Sequence, residues 1–267
     1  MPDAGWAVRA PHPALRHLVT RYVGYTGDGS GPGVHRGLPS RHATLVLALT
    51  EPVRVLGPSG ATALRAAVGG LHTAPVLIAQ GGYETGIHVE LNPLGTRTLL
   101  GLPAAELAGH VAGAADAGAA RLAALSDRLA AEPTWAGRFA LLDAALLAEV
   151  RDAAGPPEEV GWAWRRLVAT CGGLRIADLA AEVGWSRRHL GERFRREFGL
   201  GPKQAARVLR FERAGRLLRA GGPRDLAELA ATCGYYDQAH LTHEWQAFAG
   251  CPPGRWIAEE LPALVRE

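Results

Sequence analysis

Residues 234–256 read GYYDQAHLTHEWQAFAGCPPGRW, and the apolar positions of this stretch recur at helical spacing. Leu241 and Trp245 are four residues apart, so they lie on one face of a predicted helix, the face that turns toward a core. The other faces carry Gln238 and His243, where an ordinary solvated helix would carry Glu and Lys. Because such side chains both donate and accept hydrogen bonds, this pattern favours an exposed face that binds a polar partner.

The stretch has a counterpart about fifty residues earlier, which indicates an internal duplication. Eight positions match in order, and the one extra residue of the second copy falls just after a shared glycine. The matched pairs are Ile176 and Leu226, Leu179 and Leu229, Ala180 and Ala230, Gly184 and Gly234, Leu190 and Leu241, Phe194 and Trp245, Gly199 and Gly250, and Pro202 and Pro253. Eight ordered matches are hard to obtain from composition alone, so we interpret the duplication as real.

Each copy predicts two helices joined by a tight turn. ADLAAEVG and AELAATCG have apolar positions three and four apart and end in a glycine, which can adopt the left-handed conformation of a helix stop. The second helix of each copy follows a good N-cap, Ser186 or Asp237. This is the pattern of a helix-turn-helix, predicted at about 174–200 and 224–251.

One long helix is predicted to join the two copies. Residues 203–220 (KQAARVLRFERAGRLLRA) have helical period, with an apolar side that includes Val208 and Phe211. A helix of about eighteen residues spans roughly 27 Å at 1.5 Å per residue. It could hold the second helices of the two copies near the roughly 34 Å that separates successive major grooves on one side of B-DNA.

Charge is distributed unevenly along the 267 residues. The net charge is +3, but residues 1–159 hold 12 basic and 14 acidic side chains, and residues 160–267 hold 17 and 12. Within 186–224 the counts are 12 and 3, a local excess of +9. Such clustering attracts polyanions and favours a nucleic-acid partner. Since all basic residues except Lys203 are arginine, the alternative is a solvated helix face in an arginine-rich chain.

Several side chains on the second helices have the chemistry to bind DNA. Arg188 can bond guanine, Glu192 can accept from cytosine, and Gln238 can bond adenine through two atoms. His240 and His243 can donate to guanine or to a phosphate. As an alternative, Glu192 could pair within the helix with Arg188 or Arg195, which are four and three residues away. The candidates for phosphate contacts are Arg187, Arg195, Lys203 and Gln246.

The first half of the chain predicts a β-rich domain over residues 1–152. Its strand candidates are HATLVLAL (42–49), APVLIAQG (74–81) and ETGIHVEL (84–91), each short and apolar or alternating. Turn residues such as GDGSGPG (27–33) separate the runs. A small β-barrel or sandwich is therefore expected.

Ala- and Leu-rich helical spacing follows over residues 104–151, where the helices could cap the β-domain or pair between chains. The segments are PAAELAGHV, AARLAALSDRLA and AGRFALLDAALLAEVRD, and AAGPPEE (153–159) predicts a linker. The expected fold class is α+β. The small β-domain with its flanking helices precedes an all-α domain at 160–267, in which a long helix joins two helix-turn-helix subdomains.

The sequence has no pattern typical of an enzyme, a metal site or a bound cofactor. The histidines of the first half are scattered, and neither GxGxxG nor GxSxG occurs. The cysteines, Cys171, Cys233 and Cys251, fit neither a disulfide framework nor a zinc site. No stretch approaches eighteen uninterrupted apolar residues. We therefore expect a cytoplasmic protein that is not an enzyme, needs no cofactor or metal, and does not enter a membrane.

The duplicated region resembles a known family. SRRHLGERFRREFGLGPKQ, followed by CGYYDQAHLTHEWQAFAGCPPGRW, is similar to the DNA-binding domain of AraC/XylS-type bacterial transcription regulators, over about 165–260. The resemblance implies two helices inserted into neighbouring major grooves near a promoter. The positions that match base-facing residues of the family are Arg188, Gly191, Glu192, Gln238, Ala239, His240 and His243. Gly191 departs from the polar residue of many relatives, and His243 from a common arginine.

The first half is similar to the β-rich sensor or dimerisation region of some of these regulators. The likeness lies in GLPSRHATLVLAL (37–49) and GIHVELNPLGTRTLLGLPAAEL (86–107). The implied partners are double-stranded promoter DNA, RNA polymerase, a small-molecule effector at the N-terminal domain and a second copy of the chain. Two rival hypotheses are that the duplicated helices bind a partner protein, and that a catalytic β-domain is tethered to DNA.

Overall fold

The structure, a computed structural model, describes residues 5–27, 33–151, 155–223 and 225–261. Residues 28–32 of the predicted GDGSGPG turn and residues 153–154 of the predicted linker lie outside these ranges. Within the described ranges, no helix is both long and apolar enough to cross a membrane.

The strands of the described residues form two antiparallel sheets and not a closed barrel. The strands are β1 (Trp6–Arg9), β2 (Val19–Gly27), β3 (Val34–Gly37), β4 (Ala43–Ala48), β5 (Val53–Gly57), β6 (Gly60–Leu64), β7 (Ala66–Gly69), β8 (Val76–Ala79), β9 (Glu84–Leu91) and β10 (Val111–Gly113). The six-stranded sheet has the order β1-β2-β9-β4-β7-β10, and the four-stranded sheet has the order β3-β8-β5-β6. The three predicted runs thus become β4, β8 and β9.

The first helix lies between β9 and β10, and helices make up the whole of the described C-terminal part. They are α1 (Thr96–Leu100), α2 (Ala120–Ala123), α3 (Ser126–Ala131), α4 (Trp135–Glu149), α5 (Glu158–Ala169), α6 (Ile176–Glu182), α7 (Arg187–Phe198), α8 (Pro202–Arg219), α9 (Leu226–Cys233), α10 (Gln238–Ala249) and α11 (Pro253–Glu260). The α+β class is therefore confirmed, with both helix-turn-helix pairs and the long helix between them.

The predicted helix at PAAELAGHV is wrong. The segment forms only a short 3-10 turn, Ala104–Leu107, and then enters β10, which pairs with β7. Pro103 before the turn is extended, and Gly109 after it adopts a left-handed conformation at φ 79°, so neither side can continue a helix. The next segment also breaks, into α2 and α3, because helical spacing in Ala- and Leu-rich sequence does not specify length.

The Ala-rich helices cap the β-domain. One face of the six-stranded sheet and the helices share a single core, in which Leu45, Ile87 and Leu142 are fully buried. Tyr22 of β2 stacks on Phe139 of α4 with ring centroids 5.8 Å apart. The sequence left open whether these helices cap the β-domain or pair between chains. Within one chain, they cap the β-domain.

The β-domain also completes the cores of the C-terminal domain. Leu71, after β7, and Ala104 are buried in one core with α5, α6, α7 and α8. Leu38, after β3, packs against the core formed by α8, α9, α10 and α11. At Gly199 there is no room for a side chain, since a Cβ would lie 2.1 Å from the Cβ of Ala108. Both helix-turn-helix subdomains therefore rest on the N-terminal domain.

Among the described residues, three ion pairs cross this domain boundary, each with its arginine on the N-terminal side. Arg97 of α1 makes a two-pronged contact with Glu197 of α7, at 3.0 Å from Nε to Oε1 and 2.9 Å from the terminal nitrogen to Oε2. Glu197 is only 4% exposed, so this arginine is what compensates a buried carboxylate. The other two pairs are Arg41 with Glu212 of α8, 3.5 Å apart, and Arg36 with Glu259 of α11.

Removal of the arginine from the first pair should destabilise the protein strongly. In Arg97→Ala, the Glu197 carboxylate would stay buried without its partner, at a cost of about 2–3 kcal/mol in the free energy of unfolding. Urea denaturation measures this loss. Arg175→Ala is the control, because Arg175 pairs with Asp178 on an exposed surface and should cost less than about 1 kcal/mol. Equal losses in the two variants would contradict the structural role of the Arg97–Glu197 pair.

A histidine lies directly beside one of these pairs. His42 is 7% exposed, its Nε2 accepts from Nε of Arg41 at 3.3 Å, and its Nδ1 lies 3.5 Å from Glu90. Burial lowers the pKa of His42 to about 4 and also lowers the pKa values of His72 and His88. The folded protein therefore keeps His42 neutral where the unfolded chain, with a histidine pKa of about 6.5, would protonate it.

Stability should consequently fall as the solution is acidified. Between pH 6.5 and 4 the unfolded chain binds a proton at His42 that the folded chain does not, so the free energy of unfolding decreases by up to about 3 kcal/mol from this group. Denaturation as a function of pH should show a shallower decline in His42→Gln than in the wild type. An unaltered slope in His42→Gln would refute this assignment.

Candidate nucleic-acid interface

The two turns of the duplicated motif have the conformation that the sequence predicts. Gly184 after α6 and Gly234 after α9 adopt left-handed φ angles of 70° and 77°. A residue with a Cβ is strained in this region, so glycine lets the chain reverse within one residue and start the next helix. The duplication seen in the sequence is thus a duplication of backbone geometry.

The second helix of each motif begins at the predicted N-cap. The Ser186 side chain accepts from the His189 amide at 3.2 Å, and the Asp237 side chain accepts from the His240 amide at 2.7 Å. These bonds satisfy amide groups that have no partner inside a helix. They fix the first turns of α7 and α10, the part of the motif that enters a groove in DNA-binding proteins of this kind.

Both helices are held from behind by buried side chains, also as predicted. Leu190 and Phe194 of α7, and Leu241 and Trp245 of α10, are all fully buried. Trp245 packs edge-on against Phe211 of α8 with ring centroids 4.8 Å apart. Because the apolar faces are used in this way, the opposite faces of α7 and α10 stay in solvent.

The exposed faces carry nearly all of the predicted DNA-contacting residues. On α7 these are Arg187, Arg188, Glu192 and Arg195; at the start of α8 it is Lys203; and on α10 they are Gln238, His243 and Gln246, with Ala239 between them. Neither first turn is covered by another part of the described chain, since Arg187, Arg188, Gln238 and Ala239 are all exposed. Gly191, which matches a base-facing position of the resembled family, is half-buried and has no side chain to offer.

Arg188 and Glu192 form the intrahelical pair that the sequence offered as an alternative. Nε of Arg188 donates to Oε1 of Glu192 at 2.9 Å, and Arg188 remains 90% exposed. This hydrogen bond holds the pKa of Glu192 below its ordinary value. The bond uses only Nε, so the two terminal nitrogens of Arg188 remain available in solvent. The same bond limits the rotation of the Arg188 side chain.

His240 is placed differently from the other candidates. Its Nδ1 accepts from the Tyr236 amide at 3.2 Å, and its Nε2 lies 3.5 Å from Glu244, a buried carboxylate that Arg207 also contacts at 2.6 Å. The ring stands edge-on to that of Tyr235 at 5.3 Å. Both ring nitrogens are therefore engaged within the chain, and the ring braces the loop that precedes α10.

The acidic residues of the basic segment 186–224 are all paired with arginine. Glu192 pairs with Arg188, while Glu197 and Glu212 pair with Arg97 and Arg41 of the N-terminal domain. The acidic groups at the rear are thus directed toward the β-domain, and the exposed cations of α7 and the start of α8 face solvent. The exposed face of α7 and the start of α8 therefore carry an excess of positive charge.

Sequence reasoning missed four residues, three that hold the rear of the helical domain and one on its exposed side. The first three are arginines that lie far in sequence from their glutamate partners: Arg36, Arg41 and Arg97. No local sequence pattern indicates such pairs. The fourth is Tyr236, the extra residue of the second copy, whose side chain is 92% exposed. The one-residue insertion was visible in the sequence and was the signal that could have identified it.

Comparison with known proteins identifies this domain. Residues 179–259 match a family described as a helix-turn-helix domain. A comparison with curated proteins found no match. Among solved structures, apo ToxT K231A from Vibrio cholerae is similar over 94% of this chain and 99% of its own, with a TM-score of 0.53 and 9% identity. ToxT from the same organism with bound unsaturated fatty acid covers 94% and 97%, with a TM-score of 0.51 and 9% identity.

A shorter match is the DNA-binding domain of the transcriptional factor AdpA in complex with a target DNA. It is 23% identical and covers 39% of this chain and 98% of its own, with a TM-score of 0.36. The ToxT structures establish that the two-domain fold of the whole chain occurs elsewhere. The resemblance found in the sequence is confirmed for residues 179–259, which match an AraC-type helix-turn-helix domain.

Proposed function

We propose that this protein regulates transcription by inserting α7 and α10 into two adjacent major grooves of promoter DNA. The AraC-type domain at 179–259 supports the general part of this proposal, a DNA-binding regulator. The observation that carries the specific part is the duplicated, exposed first turn. Each copy is N-capped, anchored from behind and furnished with side chains that can bond base edges.

The proposed base readers are Arg188 and Glu192 on α7, and Gln238 and His243 on α10. Glu192 orients Arg188 through the bond to Nε, which leaves the two terminal nitrogens for O6 and N7 of guanine. The second carboxylate oxygen of Glu192 can accept from cytosine. His240, predicted as a reader, contributes in this proposal mainly by bracing the loop before α10.

Four further side chains are proposed to contact phosphates and so set the position of the domain on DNA. They are Arg187, Arg195, Lys203 and Gln246, all exposed. Cationic contacts of this kind release counterions and make affinity depend steeply on salt, whereas Gln246 would add a neutral hydrogen bond. No catalytic step, cofactor or metal is part of the proposal.

The N-terminal domain regulates DNA binding in this proposal. This part of the proposal is supported by three arginines of the β-domain, which pair with glutamates of α7, α8 and α11. A shift of the β-domain would therefore change the position of both motifs. Solved ToxT structures hold an unsaturated fatty acid or (E)-4-(8-methylnaphthalen-1-yl)but-3-enoic acid. By analogy, a small-molecule effector is proposed for the N-terminal domain, with RNA polymerase and a second copy of the chain as further partners in the cytoplasm.

Two glutamines of α10 provide a matched test of reading against positioning. Gln238→Ala should weaken binding to a site selected from a random duplex library by about 1–3 kcal/mol and leave random DNA almost unaffected. Gln246→Ala, a phosphate contact, should weaken both duplexes equally. Fluorescence anisotropy with labelled duplexes over a series of salt concentrations measures these affinities.

The same titrations distinguish DNA from a protein partner. Three cationic phosphate contacts predict that the logarithm of the association constant falls against the logarithm of salt with a slope of about −3 or steeper. A flat response would favour the rival hypothesis of a protein partner. Equal losses for Gln238→Ala on both duplexes would remove Gln238 from the reading role but leave DNA binding intact.

A second prediction concerns the orientation of Arg188. Glu192→Ala should strengthen binding to random duplex, since a carboxylate is removed from beside the phosphates. It should also lower the ratio of specific to random affinity roughly 5-fold or more, because Arg188 loses its fixed direction. Glu106→Ala is the control, an equal change of charge at an exposed site in the N-terminal domain. An unchanged ratio in Glu192→Ala would show that the intrahelical pair plays no part in reading.

A further inference from the structure

The second motif differs from the first by one residue, and that residue is Tyr236. Between the turn glycine and the N-cap there is one residue in the first copy, Trp185, and there are two in the second. Trp185 stands edge-on to His189 at 4.6 Å, and Tyr235 stands edge-on to His240 at 5.3 Å, so these aromatics are equivalents. Tyr236 has no counterpart in the first motif.

Tyr236 is the most exposed large apolar or aromatic residue that the structure describes, at 92%. Its neighbours are fixed on both sides, because Tyr235 is buried and Asp237 caps α10. Its own amide donates to Nδ1 of His240 at 3.2 Å. The ring is therefore held out into solvent by an anchored backbone, immediately before the exposed first turn of α10.

This placement matches a contact at the rim of a groove. Because the first turn of a recognition helix lies in the major groove, we expect the residues just before that turn to lie near the sugar–phosphate strand at the edge of the groove. Tyrosine is among the side chains that bond phosphate oxygens, and its ring offers apolar surface with only two rotatable bonds to immobilise. Gln238, two residues after Tyr236, is also exposed and is the residue proposed to bind adenine.

We propose that Tyr236 is a DNA-backbone contact specific to the second motif, with its hydroxyl donating to a phosphate oxygen and its ring lying against the adjoining deoxyribose. The inference rests on the proposed function and adds to it an uncharged anchor. Since tyrosine neutralises no phosphate, it strengthens binding without adding to the salt dependence. It also makes the two motifs unequal, because the second motif contacts the DNA backbone through Tyr236 and the first motif has no residue that corresponds to it.

Substitutions at Tyr236 in the full chain test this role. Tyr236→Phe, which lacks only the hydroxyl, should weaken binding roughly 2- to 10-fold, and Tyr236→Ala should weaken it further. Each loss should be the same on a library-selected duplex and on random duplex, and the salt slope should match that of the wild type. Tyr83→Ala, at an exposed tyrosine of the N-terminal domain, should bind as the wild type does.

The outcomes separate this inference from the proposed function. Wild-type protein that binds neither duplex would refute the proposed function, and the inference with it. If the wild type binds and Tyr236→Ala binds equally well, the inference is refuted while the proposed function is retained. A loss confined to the selected duplex would also refute it, since that is the mark of base reading. Urea denaturation should give the same midpoint for all variants, because the Tyr236 side chain is exposed.

Discussion

The arrangement of this protein depends on a buried contact between an arginine-bearing β-domain and a glutamate-bearing helical domain. Glu197, Glu212 and Glu259 lie on three different helices of the C-terminal part, and each meets an arginine from the N-terminal part. Buried or half-buried carboxylates need such partners, because an unpaired charge out of water is costly. The contact therefore favours one docked arrangement of the two domains.

That contact has a consequence for the duplicated motifs. Leu71 and Ala104 enter the core behind α7, and Leu38 packs on the core behind α10. The two motifs are joined directly by α8, but they are also bridged through the β-domain. In the proposed regulation, a shift of the β-domain would reach the helices by two physical routes, one through each core, and the ionic contacts lie along both. His42, neutral and in contact with Arg41, belongs to the same junction.

The exposed side of the helical domain is organised on a different principle. There, short-range bonds within a few residues hold each side chain: Arg188 to Glu192, His240 to the Tyr236 amide, and the two N-caps to their helices. These bonds limit the motion of groups that remain open to solvent, so less conformational freedom is lost when a ligand binds. The side chains on the exposed side of the helical domain are thus held by bonds between residues close in sequence. The side that faces the β-domain is held by contacts between residues far apart in sequence.

The sequence by itself determined the features whose causes lie within about twenty residues. The turn glycines Gly184 and Gly234, the caps Ser186 and Asp237, and the buried anchors follow from helical period and capping chemistry, and so did the strands at 42–49 and 84–91. These patterns are local because a helix or strand exposes its period directly in the order of residues.

Only the tertiary structure decided the rest. The pairing of Arg97 with Glu197 joins residues 100 positions apart, and nothing near either residue distinguishes it from other arginines and glutamates of the chain. Pro103 and Gly109 bound the turn at 104–107 locally, but β10 after it depends on β7, which supplies the hydrogen bonds of the strand. The direction of Tyr236 into solvent follows from the burial of Tyr235 in the core that contains Val208 and Phe211 of α8. In each case the deciding partner is distant in sequence, so its effect exists only once the chain has folded.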